Sequence, residues 1–299
     1  MIPSWWTTLE DSWKVALNLA IRQEATTAQP SESALERLLE QPVLSFIGHP
    51  GHAANTQLPL RDLRGLAAFS HLRELRITFY DLISLDGLGA LTSLQILDCS
   101  WNALAGLHAL TALPDLVTLN LSGNPLTSLQ GLGSLPALQT LTVYKTHLTD
   151  LQGLDGVSNL SVLTFVDTGL RSLHGIEQVP RLTELYCWDN RLTTLDPLQA
   201  LTNLTVLLCQ ENQIQSLLPV RELRQLEILD CNLNKLTSLT GIETISQLRE
   251  FSCWKNPLTS FVGIENLPRL ECFYGLPNPL ISADEIRRIE RFGIACLAR

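Results

Sequence analysis

Leu116 to Leu135 reads LVTLNLSGNPLTSLQGLGSL, with Leu116, Leu119, Leu121, Leu126, Leu129, Leu132 and Leu135 set around a single asparagine, Asn124. The same sentence, L-x-x-L-x-L-x-x-N-x-L-x-x-L-x-x-L-x-x-L, restarts every 22 residues at Leu72, Leu94, Leu116, Leu138, Leu160, Leu182, Leu204, Leu226, Leu248 and Leu270. A fixed period of this length marks a solenoid, because one repeat cannot bury its own apolar face and needs its neighbours to do so. Inside a unit the alternation is that of a strand: Leu185 and Cys187 point inward, Glu184, Tyr186 and Trp188 outward. Ten such strands, stacked about 4.8 Å apart, make a parallel sheet of roughly 45 Å. Gly87, Gly131, Gly153, Gly175, Pro197, Pro219, Gly241 and Gly263 stand late in their units. Only a turn of 3₁₀ or a brief helix fits there.

The asparagine position holds Asn102, Asn124, Asn190, Asn212, Asn234, Asn256 and Asn278, and is lost at Tyr80, Thr146 and Thr168. A buried amide there can bond backbone groups of adjoining turns that have no ladder partner, so these asparagines are structural. Cys99, Cys187, Cys209, Cys231 and Cys253 share the sixth position, where the motif wants an aliphatic side chain. They lack a His partner and the short paired spacing of zinc sites, and in-register strands have no need of staples. Buried free thiols are the expectation, and they point to a reducing cytoplasm.

The 22-residue sentence from residue 72 to 280 resembles the leucine-rich repeat family, and the late Gly or Pro is similar to its bacterial, internalin-like class. The resemblance implies an α/β fold: a right-handed solenoid with a parallel sheet on the concave face and short 3₁₀ turns on the convex face. It also implies a non-catalytic module that binds a protein partner through the concave face.

The flanks differ from the repeats. Trp6, Leu9, Trp13, Leu17 and Ala20 give one amphipathic helix from Ser4 to about Arg22. Ser33-Ala34-Leu35-Glu36 has the form of a capping box for a second helix, which Pro42 ends. Residues 1–42 are therefore expected to form a helical cap. The solenoid then runs over 43–280, opening with a short strand at Val43 to Ile47 and a degenerate first repeat. At the far end Ser282-Ala283-Asp284-Glu285 starts a capping helix in 281–299, with Ile286, Ile289 and Phe292 on one face and Gly293 closing it.

The 299 residues carry a formal net charge of -9, which argues against nucleic acid and anionic membrane surfaces as partners. Apolar residues recur every two to four positions with no span long enough for a membrane. Met1 to Asp11 has no basic segment ahead of an apolar core, so no Sec signal is expected. The rival to a cytoplasmic binding module is a translocated bacterial effector or virulence-associated protein that acts on a host protein.

No phosphate loop, dinucleotide fingerprint or nucleophile elbow is present, and no catalytic residue, cofactor or metal is assigned. His49-Pro50-Gly51-His52 lacks the Cys or carboxylate that would complete a metal site and reads as loop. The informative surface is the concave sheet, at the third, fifth, seventh and eighth positions of each unit. Those positions hold Phe79, Trp101, Tyr144, Tyr186, Trp188, Trp254 and Tyr274, among Glu74, Asp98, Asp167, Glu184, Asp189, Glu211, Asp230 and Glu250 and the fewer bases Arg76, Lys145 and Lys255. Exposed Trp and Tyr on rigid strands are what interface hot spots are made of. The expected partner-binding set is therefore these seven aromatics with Glu184 and Asp230. Tyr186, Trp188 and Trp254 are expected to point into solvent.

Overall fold

A computed structural model describes residues 4–48, 59–108, 110, 113–133 and 135–298. The chain divides into two compact units, Met1–Thr146 and His147–Arg299.

The first unit begins with helices α1 (Ser4–Thr8), α2 (Asp11–Arg22) and α3 (Glu32–Leu39). The single helix expected over 4–22 is broken because Glu10 takes an extended conformation (φ -63°, ψ 154°) between α1 and α2. The cap of α3 is Ser31, whose side chain accepts from Ala34 N; Ser33 already lies inside the first turn. Trp6 and Trp13 are buried. The Trp13 ring lies edge-on to Phe46 at 5.7 Å and over Gly65, where a Cβ would come within 2.3 Å of it. Its Nε1 donates to the Asp62 carbonyl at 3.2 Å. Strands β1 (Val43–Ile47), β2 (Glu74–Thr78), β3 (Ile96–Asp98), β4 (Thr118–Asn120) and β5 (Thr140–Thr142) follow, each parallel to the next and paired residue for residue.

The second unit repeats the arrangement. Its strands are β6 (Val162–Thr164), β7 (Glu184–Tyr186), β8 (Val206–Leu208), β9 (Ile228–Asp230), β10 (Glu250–Ser252) and β11 (Cys272–Leu276), paired parallel in that order. Helix α4 (Ala283–Glu290) has Ser282 as its N-cap, accepting from Glu285 N at 3.1 Å, and Gly293 follows it at φ 78°. Phe292 is exposed and does not share the burial of Ile289. The segment after α4 forms a further strand, β12 (Cys296–Ala298), which pairs with β11 through an irregular register. The end over 281–299 is thus a helix and a strand, where only a helix was expected.

The register is pinned because each three-residue strand from β3 to β10 buries its middle residue, and a slip by one would turn that residue to the other face. Leu97, Leu119, Leu141, Leu163, Leu185, Leu207 and Leu229 are fully buried at this position, and so is Phe251. Short 3₁₀ turns, such as Leu88–Ala90 and Ile242–Thr244, return the chain between strands. Gly241 shows why glycine opens such a turn: its φ is 112°, and a Cβ would stand 2.5 Å from the Leu217 carbonyl oxygen.

The asparagines bridge turns as the sequence implies. Asn212 Nδ2 donates to the carbonyls of Cys187, Cys209 and Gln210 at 3.0, 3.1 and 3.1 Å, and its Oδ1 accepts from Leu192 N at 2.9 Å. Among the described residues Thr146 makes one such bond, from Oγ1 to the Val143 carbonyl. Five cysteines of the sixth position are buried and free, and burial pushes their thiols far above the ordinary range. Cys272 and Cys296 are half-buried, and burial raises Cys296 to about 11.

Candidate partner-binding face

The third, fifth, seventh and eighth positions lie on one face of the sheet, and each unit writes a different surface there. In the first unit the eighth position carries bulky rings. The backbone after β2, β3 and β4 passes through the left-handed region, at φ 62° for Phe79, 57° for Trp101 and 67° for Gly123. Side chains of this size rarely adopt that conformation. Their rings stack on one another, 5.7 Å apart and 7° from parallel, and Trp101 meets Tyr144 edge-on at 6.5 Å. Gly123 lies under the indole, where a Cβ would come within 2.6 Å of it. Trp101 is 39% exposed. Lys145 sits over the Tyr144 ring at 5.3 Å, and Arg76 bonds Glu74 at 2.6 Å.

In the second unit Tyr186 and Tyr274 sit on the strands themselves, and Trp188 and Trp254 stand two residues past the ends of β7 and β10. Tyr186 and Trp188 meet edge-on at 6.0 Å. The Tyr186 hydroxyl donates to Glu184 Oε2 at 2.6 Å; burial, and then the carboxylate, push its titration up to about 12. Lys255 lies over the Trp254 ring at 4.8 Å. Asp230 Oδ1 accepts from Asn232 N at 3.1 Å, and Asn232 Oδ1 accepts from Trp254 N at 2.9 Å.

The structure therefore brings Phe79, Trp101 and Tyr144 together in the first unit. In the second, Tyr186, Trp188, Glu184, Asp230, Trp254 and Tyr274 share the sheet face. The degree of exposure differs from expectation: Tyr186, Trp188, Trp254, Tyr144, Tyr274 and Phe79 are half-buried, and Trp101 alone of the seven is exposed. Strands about 4.8 Å apart cannot present a ring without its neighbours covering part of it. Sequence reasoning passed over the polar uncharged positions between the rings. Gln210, Asn232 and Ser252 stand in the same columns, and the 22-residue spacing alone would have placed them there.

Among the described residues no group of three His, Cys, Asp or Glu side chains is placed to hold a metal, and no helix is long and apolar enough to cross a membrane. The His49–His52 segment lies outside the described residues. A hollow of about 430 Å³ beside α2, α3 and β1 is lined by Arg37, Gln41 and Ser45 among apolar side chains, with no carboxylate, His or Cys.

The leucine-rich repeat family, in its two-copy form, matches residues 114–156 and again 180–222. The chain is a leucine-rich repeat protein. No curated protein matches its sequence. Among solved structures, this leucine-rich repeat protein is similar to an internalin, InlF, from Listeria monocytogenes str. 4b F2365, at 19% identity and a TM-score of 0.56 over 96% of this chain and 95% of that one. It is also similar to internalin C2 of the same strain, at 19% identity and a TM-score of 0.49 over 87% and 90% of the two chains. A plant peptide hormone receptor, RGFR1, in complex with RGF2, matches at 19% identity and a TM-score of 0.56 over 81% of this chain and 41% of that one. At these identities the likeness is one of fold.

Proposed function

We propose that this leucine-rich repeat protein is a non-catalytic binding module whose sheet face holds a protein partner. The observation that carries this is the set Tyr186, Trp188 and Trp254 in the second unit. Tyr186 stands on a paired strand, Trp188 and Trp254 just past the ends of β7 and β10, and neighbouring rings, Glu184 and Lys255 hold them. Large rings already fixed in place lose little freedom on binding, which is what makes an aromatic side chain an interface anchor. Around them the sheet face of this unit carries Asp167, Glu184, Asp189, Glu211, Asp230 and Glu250 against one base, Lys255. A six-to-one excess of acid steers a partner of basic character. Five buried free thiols support a reducing, cytoplasmic location.

Affinity capture by the full chain tests the proposal. A variant with Tyr186→Ala, Trp188→Ala and Trp254→Ala keeps its melting temperature within a few degrees and loses the partner that the wild type retains. Unchanged affinity in that variant moves the binding surface elsewhere.

A further inference from the structure

We propose that the sheet face of the second unit is a trough for an arginine side chain on a peptide segment of the partner. This rests on the protein-binding reading above and specifies the chemistry it recognises. The strand register lays out the trough. Tyr186, Leu208, Asp230, Ser252 and Tyr274 stand side by side on β7 to β11, which sets the two tyrosines about 19 Å apart. In the next column, backbone bonds from Asp189, Glu211 and Leu233 to Gln210, Asn232 and Trp254 align Trp188, Gln210, Asn232 and Trp254. Rings therefore bound both ends, and the polar groups of the floor are Gln210, Asp230, Asn232 and Ser252.

The floor has unmet hydrogen-bonding capacity. Gln210 Oε1 and Ser252 Oγ are buried and have no hydrogen-bond partner among the described residues, and the Ser252 residue is 1% exposed. A buried polar atom without a partner bears its full desolvation cost, so a ligand that supplies the missing bond gains affinity. Both atoms can accept, and they flank Asp230, the one carboxylate in these two columns. Several acceptors around one negative charge call for a cation with several donors. A guanidinium has five N–H groups in a plane, and its flat face lies against an aromatic ring. The indole of Trp254 already seats the Lys255 ammonium at 4.8 Å, which leaves the wall of Tyr186 and Trp188 to stack the incoming group. Trp254 Nε1 is the third unpartnered buried atom and is a donor. It needs a carbonyl, which a peptide backbone brings and a free cation does not.

The test uses the full chain and an acetylated, amidated pentapeptide with one central arginine, beside its lysine, citrulline and glutamate analogues. The readout is the tryptophan indole N–H resonances, assigned with Trp188→Phe and Trp254→Phe. The arginine peptide is expected to shift both resonances saturably, with the other three at least tenfold weaker. Asp230→Asn, which retains an acceptor for Asn232 N, weakens arginine binding at least tenfold, and Gln210→Leu weakens it several-fold. Asp196→Asn, on an outer turn of the same unit, leaves it unchanged. The proposal is overturned by an arginine peptide that moves neither resonance at millimolar concentration, by a lysine or citrulline peptide that binds equally well, or by Asp230→Asn binding as the wild type does. The same variants assayed on a captured partner separate the two claims. A partner lost by Trp188→Ala and kept by Asp230→Asn leaves the binding module standing without the arginine site, whereas a partner kept by both removes both.

Discussion

The two units share a backbone and differ in what they show the solvent. On the first, Glu74 and Asp98 are matched by Arg76 and Lys145, and most of the remainder is Thr78, Ser100, Thr118, Asn120, Ser122, Thr140 and Thr142. Its rings, Phe79 and Trp101, sit at the left-handed corner after the strand and stack on each other. On the second, six acids face one base, and the rings stand on the strands at Tyr186 and Tyr274 and two residues past them at Trp188 and Trp254. The inner positions are alike in both: leucine at the buried centre of the strand, and asparagine bridging the turns. The inside of a repeat must satisfy its neighbours and so stays constant. The outside satisfies only whatever it binds, and that is where the units diverge.

The strongest way to break this comparison is to ask whether the insides are equivalent. Replacing Asn212 by Ala leaves the Leu192 N–H without a partner and takes one of two donors from each of the Cys187, Cys209 and Gln210 carbonyls, and is expected to cost about 3 kcal/mol. Asn124→Ala in the first unit should cost nearly the same, since its amide bonds Cys99 and Leu121 carbonyls and accepts from Leu104 N. Denaturant titration of both variants checks this. A disparity larger than either cost would show that the units are held by different means.

Acid should separate the units next. Glu285 on α4 pairs with Arg288 at 2.9 Å and accepts from Ser260 Oγ and Phe261 N, and these bonds lower its carboxyl from 4.5 to about 2. A lowered folded value means the stabilisation is present above the unfolded value, near 4.5, and is lost as pH falls toward 2. A contribution of roughly 2 kcal/mol should therefore fade across that window. Unfolding at pH 7 and pH 3, followed by a probe at each end of the chain, should find α4 more acid-sensitive than α2. Glu285→Gln should flatten the difference.

Binding sharpens the contrast between the faces. Trp188→Ala should weaken a captured partner by about 2 kcal/mol, while Trp101→Ala should change its affinity by roughly 0.5 kcal/mol or less. A larger loss from Trp101→Ala would move the site to the first unit. The smallest expected effect on stability is Gly123→Ala. At φ 67° with Trp101 overhead, the added methyl should cost about 1 kcal/mol and displace the indole, which a change in Trp101 fluorescence would report.

What could be seen in the sequence followed from periodicity. The strands, the 3₁₀ turns, the asparagine bonds and the buried thiols all recur at 22 residues, and ten copies leave little room for another register. The misplaced features stand outside that repetition. The apolar stripe from Trp6 to Leu17 keeps helical spacing through Glu10, so nothing in it marks the break between α1 and α2. Ser31 and Ser33 both suit a helix start, and the backbone, extended at Ser31, decides between them. Cys296 to Ala298 lacks the repeat motif altogether, and it becomes a strand because β11 offers it an edge. For the candidate site, alternation told which way Tyr186, Trp188 and Trp254 face. It carried no information about how much the adjoining strands cover them.

The column of sulfur has a consequence for handling the chain. Cys187, Cys209, Cys231 and Cys253 recur at one interval with similar surroundings. In the folded protein their depth keeps them from oxidants. Once the chain opens, the four become interchangeable: dissolved oxygen can oxidise any two to a disulfide, and thiol–disulfide exchange then reshuffles it among them. A bond formed in the open chain ties together strands whose native positions call for free thiols. Recovery from denaturant should therefore depend on reductant far more than on temperature or salt, and material unfolded in air should return as a mixture of cross-linked forms that dithiothreitol restores to one.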